Sequence, residues 1–433
     1  MRKRASAERE RWRARGPCAP RADRLELGAV TRPASASTNG WTADRYALQD
    51  APVWQEPQVL TADQCRDRFD SATDFTVGVE DELMLVDPRT LDLTPAVDFV
   101  LQRVAGDERF TRELRTAQLE IVTPVCGSAA QACEELSEAR QSLTRALGGE
   151  VRLVAAGTHP FATDWGSITR GERYRAIADE YKWAARRSLA CGLHVHVSVP
   201  GADRALAVYN AVRSYLPELA ALATNSPYFE GQDSGLCSIR PKLNEAFPRA
   251  GVPPRFDCWE QLVAFIDWGR SGGLFPDASH FWWDLRPHLH HGTLELRVAD
   301  SQTRVEDASA VAGVFQALVL TLAGRYDNEG ELPVHDTHRV NENAWRAYRY
   351  GVSGWLVDLD TGRPEPTRDR LARLIGELEA AARVLQAVPQ LEHARTLLAG
   401  NGADRQRYVA GRAGMNGLVS WLADATESSG AGR

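Results

Sequence analysis

The chain has 433 residues, of which 43% are hydrophobic, with a formal net charge of −7 and seven cysteines. That length and apolar share fit one large soluble domain or two to three ordinary ones. No apolar run approaches the ~20 residues of a membrane span, the negative balance gives a nucleic-acid partner no support, and the odd cysteine count without a C-x-x-C pair argues against zinc ribbons and disulfide frameworks.

Residues 1–73 read as a disordered N-terminal extension. Met1–Arg24 is Arg-rich but lacks the apolar stretch of a secretory signal, so a reducing cytoplasm is the expected compartment. Thr31–Trp54 is rich in Pro, Ala, Ser and Thr and has no sustained period. Thr61–Phe69 is predicted as a short helix leading into a single folded domain over residues 74–426, with residues 427–433 as a tail. Lysine occurs only at Lys3, Lys182 and Lys242, and none completes a G-x-x-x-x-G-K-[ST] pattern; a G-x-G-x-x-G is also missing. Neither common glycine-rich nucleotide cradle is therefore present.

The domain opens on Thr76–Val86, which alternates as a strand does. Val77, Val79, Leu83 and Leu85 lie on one face, with Asp81 among them; Glu80 and Glu82 lie on the other. Residues two apart on one face are about 6.5–7 Å apart along the backbone, so both glutamates can reach one hard cation or two adjacent ones. Ala96–Ala105 is predicted helical. Arg115–Thr123 is a second strand, with Gln118, Glu120 and Val122 opposite Leu119 and Ile121. Ser128–Leu147 is an amphipathic helix closed by Gly148–Gly149. Val151–Ala156 is a buried strand, and Gly171–Leu189 a helix.

Cys191–Pro200 is a third alternating strand: Leu193, Val195, Val197 and Val199 form the apolar face, His194, His196 and Ser198 the other. Asp203–Thr224 is a long helix bent at Pro217. Residues 225–254 form a long irregular segment carrying Arg240, Lys242 and Glu245; such loops often serve function. Trp259–Trp268 is a short helix. His280–Arg286 leads into the fourth strand, Thr293–Asp300, where Glu295 and Arg297 oppose Leu294, Leu296 and Val298. Helices follow at Val305–Ala323, Thr367–Val388 and Asp404–Asp424, and Asn341–Gly351 is polar and aromatic.

Four strands thus share one plan, an apolar face backed by a face of carboxylates, imidazoles and arginine. A sheet of that kind is typically antiparallel, with one face on helices. If the strands are neighbours, the polar groups meet in one cavity. So many carboxylates repel one another without a cation, and an oxygen-dominated donor set with an imidazole suits Mg²⁺ or Mn²⁺. A lone inward glutamate is more often salt-bridged than metal-bound, and Glu295 and Arg297 are able to pair with each other.

These residues resemble the carboxylate–amine ligase family of glutamate–cysteine ligase type 2. The likeness rests on TVGVEDELMLVDP (76–88), QLEIVTPVC (118–126), GTHPFA (157–162), CGLHVHV (191–197), Asn225–Pro227 with Asp233–Gly235, WWDLRP (282–287), TLELRVAD (293–300) and RYG (349–351). It implies an α+β fold: a glutamine-synthetase-like antiparallel sheet curved into a funnel and backed by helices. It implies an ATP-dependent ligase that activates a carboxylate, usually the γ-carboxylate of glutamate, as an acyl phosphate and joins it to an amine such as cysteine. The metal ligands it implies are Glu80, Glu82, Glu120, Glu295 and His194. Arg297 and Arg240 are expected in catalysis, and His196, Asn225 and Arg349 in binding ATP or substrate. The partners implied are small molecules, with neither nucleic acid nor membrane, and the chain is compatible with a homodimer. Two features depart from the family pattern. Asp81 is the middle one of the three acidic residues often found at positions 80–82, and it points to the apolar side; the stretch from Cys237 reads CSIRPKLNEAF in place of an aromatic, serine-rich pattern.

The His194/His196 pair also admits a metal-dependent amide hydrolase, which would need zinc and no ATP. Against it, the carboxylate strands precede the histidines and no eightfold strand–helix alternation is present. A catalytically silent binding protein is the third reading, disfavoured by the intact acidic set.

Overall fold

The computed structural model describes residues 60–164 and 166–428. Most of the expected N-terminal extension and the last five residues lie outside that range. Seven strands make the central sheet: β1 (Val77–Val86), β2 (Phe110–Arg112), β3 (Gln118–Val122), β4 (Arg152–Val154), β5 (Leu193–Ser198), β6 (Leu285–His288) and β7 (Thr293–Leu296). Their order is β6-β7-β5-β1-β3-β2, and β4 pairs with the end of β1 at Met84–Val86. Every pairing in this sheet is antiparallel. The fold is α+β, with the antiparallel, helix-backed sheet that the family resemblance implies.

The apolar face is as the alternation predicts. Val77, Val79, Leu83, Leu85, Leu119, Ile121, Leu193, Val195, Val197, Leu294 and Leu296 are all buried in one core. Helices Ala129–Leu147 and Val305–Glu329 cover that face, and Ala202–Val212 packs on the second of them. The first is delimited by its own chemistry: the Ser128 hydroxyl accepts from Gln131 N–H at its start, and Gly148 ends it at φ 55°. Val305–Glu329 is long and apolar enough to cross a membrane, but 83% of its most apolar window is buried inside the protein, as expected of a core helix.

Asp81 points into this core and is fully buried, where an unpaired carboxylate would be untenable. Arg140, from helix Ala129–Leu147, donates to its Oδ2 through Nε (3.0 Å) and Nη2 (2.7 Å), and Ser301 Oγ donates to Oδ1 (2.9 Å). The remaining Arg140 hydrogens reach the carbonyls of Gln302 and Thr303.

Several elements differ from expectation. The folded body begins before Asp74, because helix Ala62–Asp70 buries Cys65 and Phe69 against it. It also runs past residue 426: helix Gly402–Ser428 places Glu427 on Arg152 and on Leu153 N–H. The strand expected from Arg115 starts at Gln118, since the Arg115 guanidinium is buried among the carbonyls of Ser188, Gly166 and Ala185. The helix expected over 203–224 breaks at a 3₁₀ turn, Arg213–Tyr215, before resuming at Leu216 with Pro217 in its first turn. Helix Glu172–Arg187 is interrupted at Lys182 (φ 42°), and Asn341–Gly351 is mostly helical, within Thr337–Tyr350.

Candidate active site

The polar face is assembled by register. Glu82 faces Glu120 across β1/β3, Glu80 faces His194 across β1/β5, His196 faces Glu295 across β5/β7, and Glu295 faces Arg286 across β7/β6. Residues directly opposite in such pairs stand about 4.5–5.5 Å apart at Cβ, so five strands deliver one continuous row of charged and imidazole side chains.

Glu80 lies at its centre. His194 Nδ1 is 3.0 Å from its Oε2 and His196 Nε2 is 3.1 Å from its Oε1. Burial pushes the Glu80 carboxyl up, but the two imidazoles outweigh it and hold the group well below the usual range. Burial likewise opposes ionisation of Glu295, yet Arg286 and Arg297 keep it ionised. Arg286 grips it bidentately (Nε–Oε2 2.7 Å, Nη2–Oε1 3.0 Å) and Arg297 Nη1 bonds Oε1. Burial, reinforced by the Arg297 charge, lowers His194 to about 4, so this imidazole is neutral at pH 7.

The β1/β3 end is different. Glu82 accepts one backbone hydrogen bond, from Gly192 N–H at 2.6 Å. Burial and the neighbouring Glu113 push it up to about 8. Among the described residues no side chain hydrogen-bonds the Glu120 carboxyl, and burial together with Glu113, Glu80 and Glu82 drives it well above its ordinary value. Three carboxyls therefore crowd together with little cationic compensation, an arrangement a divalent ion would relieve.

The donor set fits such an ion. Glu80, His194 and Glu295 form one group of potential ligands, and Glu82, Glu120 and His194 a second; within each, the ligand atoms lie within 4.8 Å of one another. Ions bound at about 2.0–2.6 Å from oxygen can bridge that spacing. The oxygen-rich composition with one shared imidazole suits magnesium or manganese better than zinc.

Of the ten residues expected in the site, the structure brings seven together: Glu80, Glu82, Glu120, His194, His196, Glu295 and Arg297. Asn225 and Arg349 are engaged by other partners, and Arg240 borders the row. Asn225 is a buried junction. Its amide donates to Ser301 O (2.8 Å) and Thr303 Oγ1 (3.1 Å), and its Oδ1 accepts from Gln406 Nε2 (2.8 Å), which satisfies it internally. Arg349 bonds the Gly235 carbonyl and stacks over Tyr350. Arg240 is buried in a supporting role: Nε pairs with Asp300 Oδ1 at 3.0 Å, and Nη2 donates to the carbonyls of Arg297 and Ala299, both at 2.8 Å. It braces the segment that carries Arg297, and its charge acts on the Glu82 carboxyl. Gly192 permits the close approach there, since a Cβ would lie 2.9 Å from His194 Nε2 and 3.2 Å from Arg240 Nη1.

Sequence reasoning missed Arg286 and Glu113. Arg286 had a signal: Asp284, Arg286 and His288 alternate with Leu285 and Pro287. Glu113 follows the three-residue strand β2, where no period assigns a face.

Comparison with known proteins gives the same direction. The family described as Glutamate-cysteine ligase family 2 matches residues 76–420. A Rubrobacter xylanophilus protein named “Putative glutamate–cysteine ligase 2-3” is 38% identical over 368 residues, 83% of this chain and 99% of its own length. A Sorangium cellulosum protein named “Putative glutamate–cysteine ligase 2” is 38% identical over 346 residues, covering 78% of this chain and 92% of its own. Among solved structures, a glutamate–cysteine ligase from Francisella tularensis in complex with AMP superposes with a TM-score of 0.62 at 13% identity, over 83% of this chain and 90% of that one. A bifunctional glutathione synthetase from Pasteurella multocida gives 0.61 at 14% identity, over 84% of this chain and 53% of its own. At such identities these two likenesses are of fold.

Proposed function

Because the chain belongs to glutamate–cysteine ligase family 2, we propose that it is an ATP-dependent carboxylate–amine ligase whose acid substrate is glutamate. The observation that carries the reading is the charged row on one sheet face: Glu80, Glu82, Glu120, His194, His196, Glu295 and Arg297 on four adjacent strands. Glu80, Glu82, Glu120 and His194 would hold magnesium or manganese, with Glu295 adjoining them through Glu80 and His196. A divalent ion held by these residues would supply positive charge to offset the negative charge that develops on the phosphate oxygens.

The residues themselves do the positioning. Arg297, fixed by Glu295 and by the backbone that Arg240 braces, directs a guanidinium toward incoming phosphate or carboxylate oxygens. Neutral His194 remains available as a ligand, because burial, reinforced by the Arg297 charge, suppresses its protonation. His196 holds Glu80 in place through Nε2 and is itself held by Thr293 Oγ1 at 3.0 Å. In the reaction proposed, a γ-carboxylate oxygen attacks the terminal phosphorus of ATP and ADP leaves. The amine nitrogen then bonds to the acyl carbon, the carbon–oxygen bond to phosphate breaks, and the departing phosphate takes up the proton that the amine loses.

The test is ADP release with Mg²⁺, ATP, glutamate and a panel of amines, with products identified by mass spectrometry. Amine-dependent ADP is expected, and folded protein that forms none with any amine would defeat the reading. The hydrolase alternative has one observation in its favour, a shared imidazole among carboxylates. It predicts stoichiometric zinc in the purified protein and turnover without ATP.

A further inference from the structure

Arg297 does not stand in a regular strand. The pairing of β6 with β7 runs to Leu285 opposite Leu296. Beyond it, the backbone N–H groups of both Arg297 and Val298 donate to the single carbonyl of Asp284, at 2.8 and 3.1 Å. Two residues facing one make a β-bulge, a device that bends a strand and re-aims its side chains. This bulge sits where Arg297 Nη1 reaches Glu295 and lies 3.4 Å from His194 Nδ1. The carbonyl of Arg297 is held as well, since Arg240 Nη2 donates to it at 2.8 Å.

Both holds lead to one residue outside the sheet. Asp284 is buried, its N–H donates to Gly251 O at 2.9 Å, and its Oδ2 accepts from the Tyr348 hydroxyl at 2.9 Å. Tyr348 belongs to helix Thr337–Tyr350 and is 2% exposed. Its backbone carbonyl accepts from the N–H groups of Cys237 and Ser238, at 2.7 and 3.0 Å. Ser238 Oγ in turn donates to Asp300 Oδ1, the oxygen with which Arg240 Nε pairs. Packing alone does not call for this pair of side chains. A phenylalanine ring would fill the same space, and a buried charged group gives little net stability over an apolar residue of similar volume. What a satisfied buried contact does supply is a single rigid geometry.

Resting on the ligase reading above, we propose that Tyr348 is a positioning residue for phosphoryl transfer. Its hydroxyl fixes Asp284, Asp284 fixes the bulge, and the bulge aims the Arg297 guanidinium at the charge that develops on the phosphoryl oxygens. Tyr348 acts through Arg297 and not by touching substrate. A guanidinium held in its working orientation gives up no freedom when the transition state forms. Loosening the bulge therefore slows the reaction more than it weakens substrate binding.

The experiment uses the full chain with Mg²⁺, ATP, glutamate and an accepted amine, and counts ADP from labelled ATP so that slowed variants remain readable. Tyr348→Phe keeps the ring and removes the hydroxyl. It should lower kcat roughly tenfold while the KM values for ATP and glutamate move by less than about twofold. Arg297→Met already lacks the guanidinium, so adding Tyr348→Phe to it should cost nothing further in kcat. Asp284→Leu cuts the same contact from the other end. It should reproduce the kcat loss, again without adding to Arg297→Met, and it carries the test should Tyr348→Phe not fold. An unchanged kcat in Tyr348→Phe overturns the proposal and leaves the ligase reading standing. So does the same factor lost again on top of Arg297→Met, which is what a general weakening of the fold would give. Wild-type protein that forms no ADP with any amine defeats both.

Discussion

Replacing Glu82 with glutamine should stabilise the metal-free protein while destroying its ability to bind magnesium. Burial and Glu113 push the Glu82 carboxyl up to about 8, against 4.5 for a free side chain. A raised folded value means that folding favours the protonated acid. The associated stability is complete below pH 4.5 and declines as pH rises through about 8. At pH 7 folding must draw a proton from solution, a cost of about 3 kcal/mol at ~1.36 kcal/mol per pH unit. Glutamine is neutral throughout and its amide oxygen can still accept from Gly192 N–H, so Glu82→Gln should recover up to ~3 kcal/mol at pH 7. Urea unfolding in EDTA measures this as a raised midpoint with an unchanged slope. Added Mg²⁺ with a non-hydrolysable ATP analogue should then stabilise the wild type and leave the variant unmoved. A lower midpoint for Glu82→Gln in EDTA, or equal stabilisation of both proteins by the ion, would refute the reasoning.

Further outcomes follow from the same geometry. Magnesium uptake at pH 7 should expel protons from the Glu82, Glu113 and Glu120 set, visible as a binding enthalpy that varies with the ionisation enthalpy of the buffer; no dependence would contradict it. Arg140→Met leaves Asp81 buried and unpaired, so a loss of about 3–5 kcal/mol is expected. The double variant with Asp81→Leu should regain much of that loss in denaturant titrations. Arg297→Met should keep the fold, because Arg286 still pairs with Glu295, but lower kcat by roughly 100-fold or more. Arg240→Met should show the reverse emphasis, a clear fall in unfolding midpoint from stranding buried Asp300.

How legible this was depends on the residue. Alternation in β1, β3, β5 and β7 fixes which side chains share a face, so Glu80, Glu82, Glu120, His194, His196, Glu295 and Arg297 could be read as one set. Period says nothing about register, and the bonds from His194 and His196 to Glu80 arise only when β5 lies beside β1 in the observed offset. Asp81 could be placed on the apolar side, but its partner Arg140 is 59 residues away on a helix, beyond any local pattern. The internal partners of Asn225 and Arg240 were not legible either: a buried polar side chain held by other groups of the protein has the same letter as one aimed at a ligand. The break at Lys182 left no mark either, since no glycine or proline announces it.

The most direct measurement of the central claim follows an oxygen atom. Glutamate labelled with ¹⁸O in its γ-carboxylate is turned over with ATP, Mg²⁺ and an accepted amine, and the released phosphate is examined by ³¹P NMR. One labelled oxygen per phosphate is the predicted result, because the carboxylate must have been phosphorylated before the amine attacked. Phosphate without label, formed at the same rate as the amide, would contradict it.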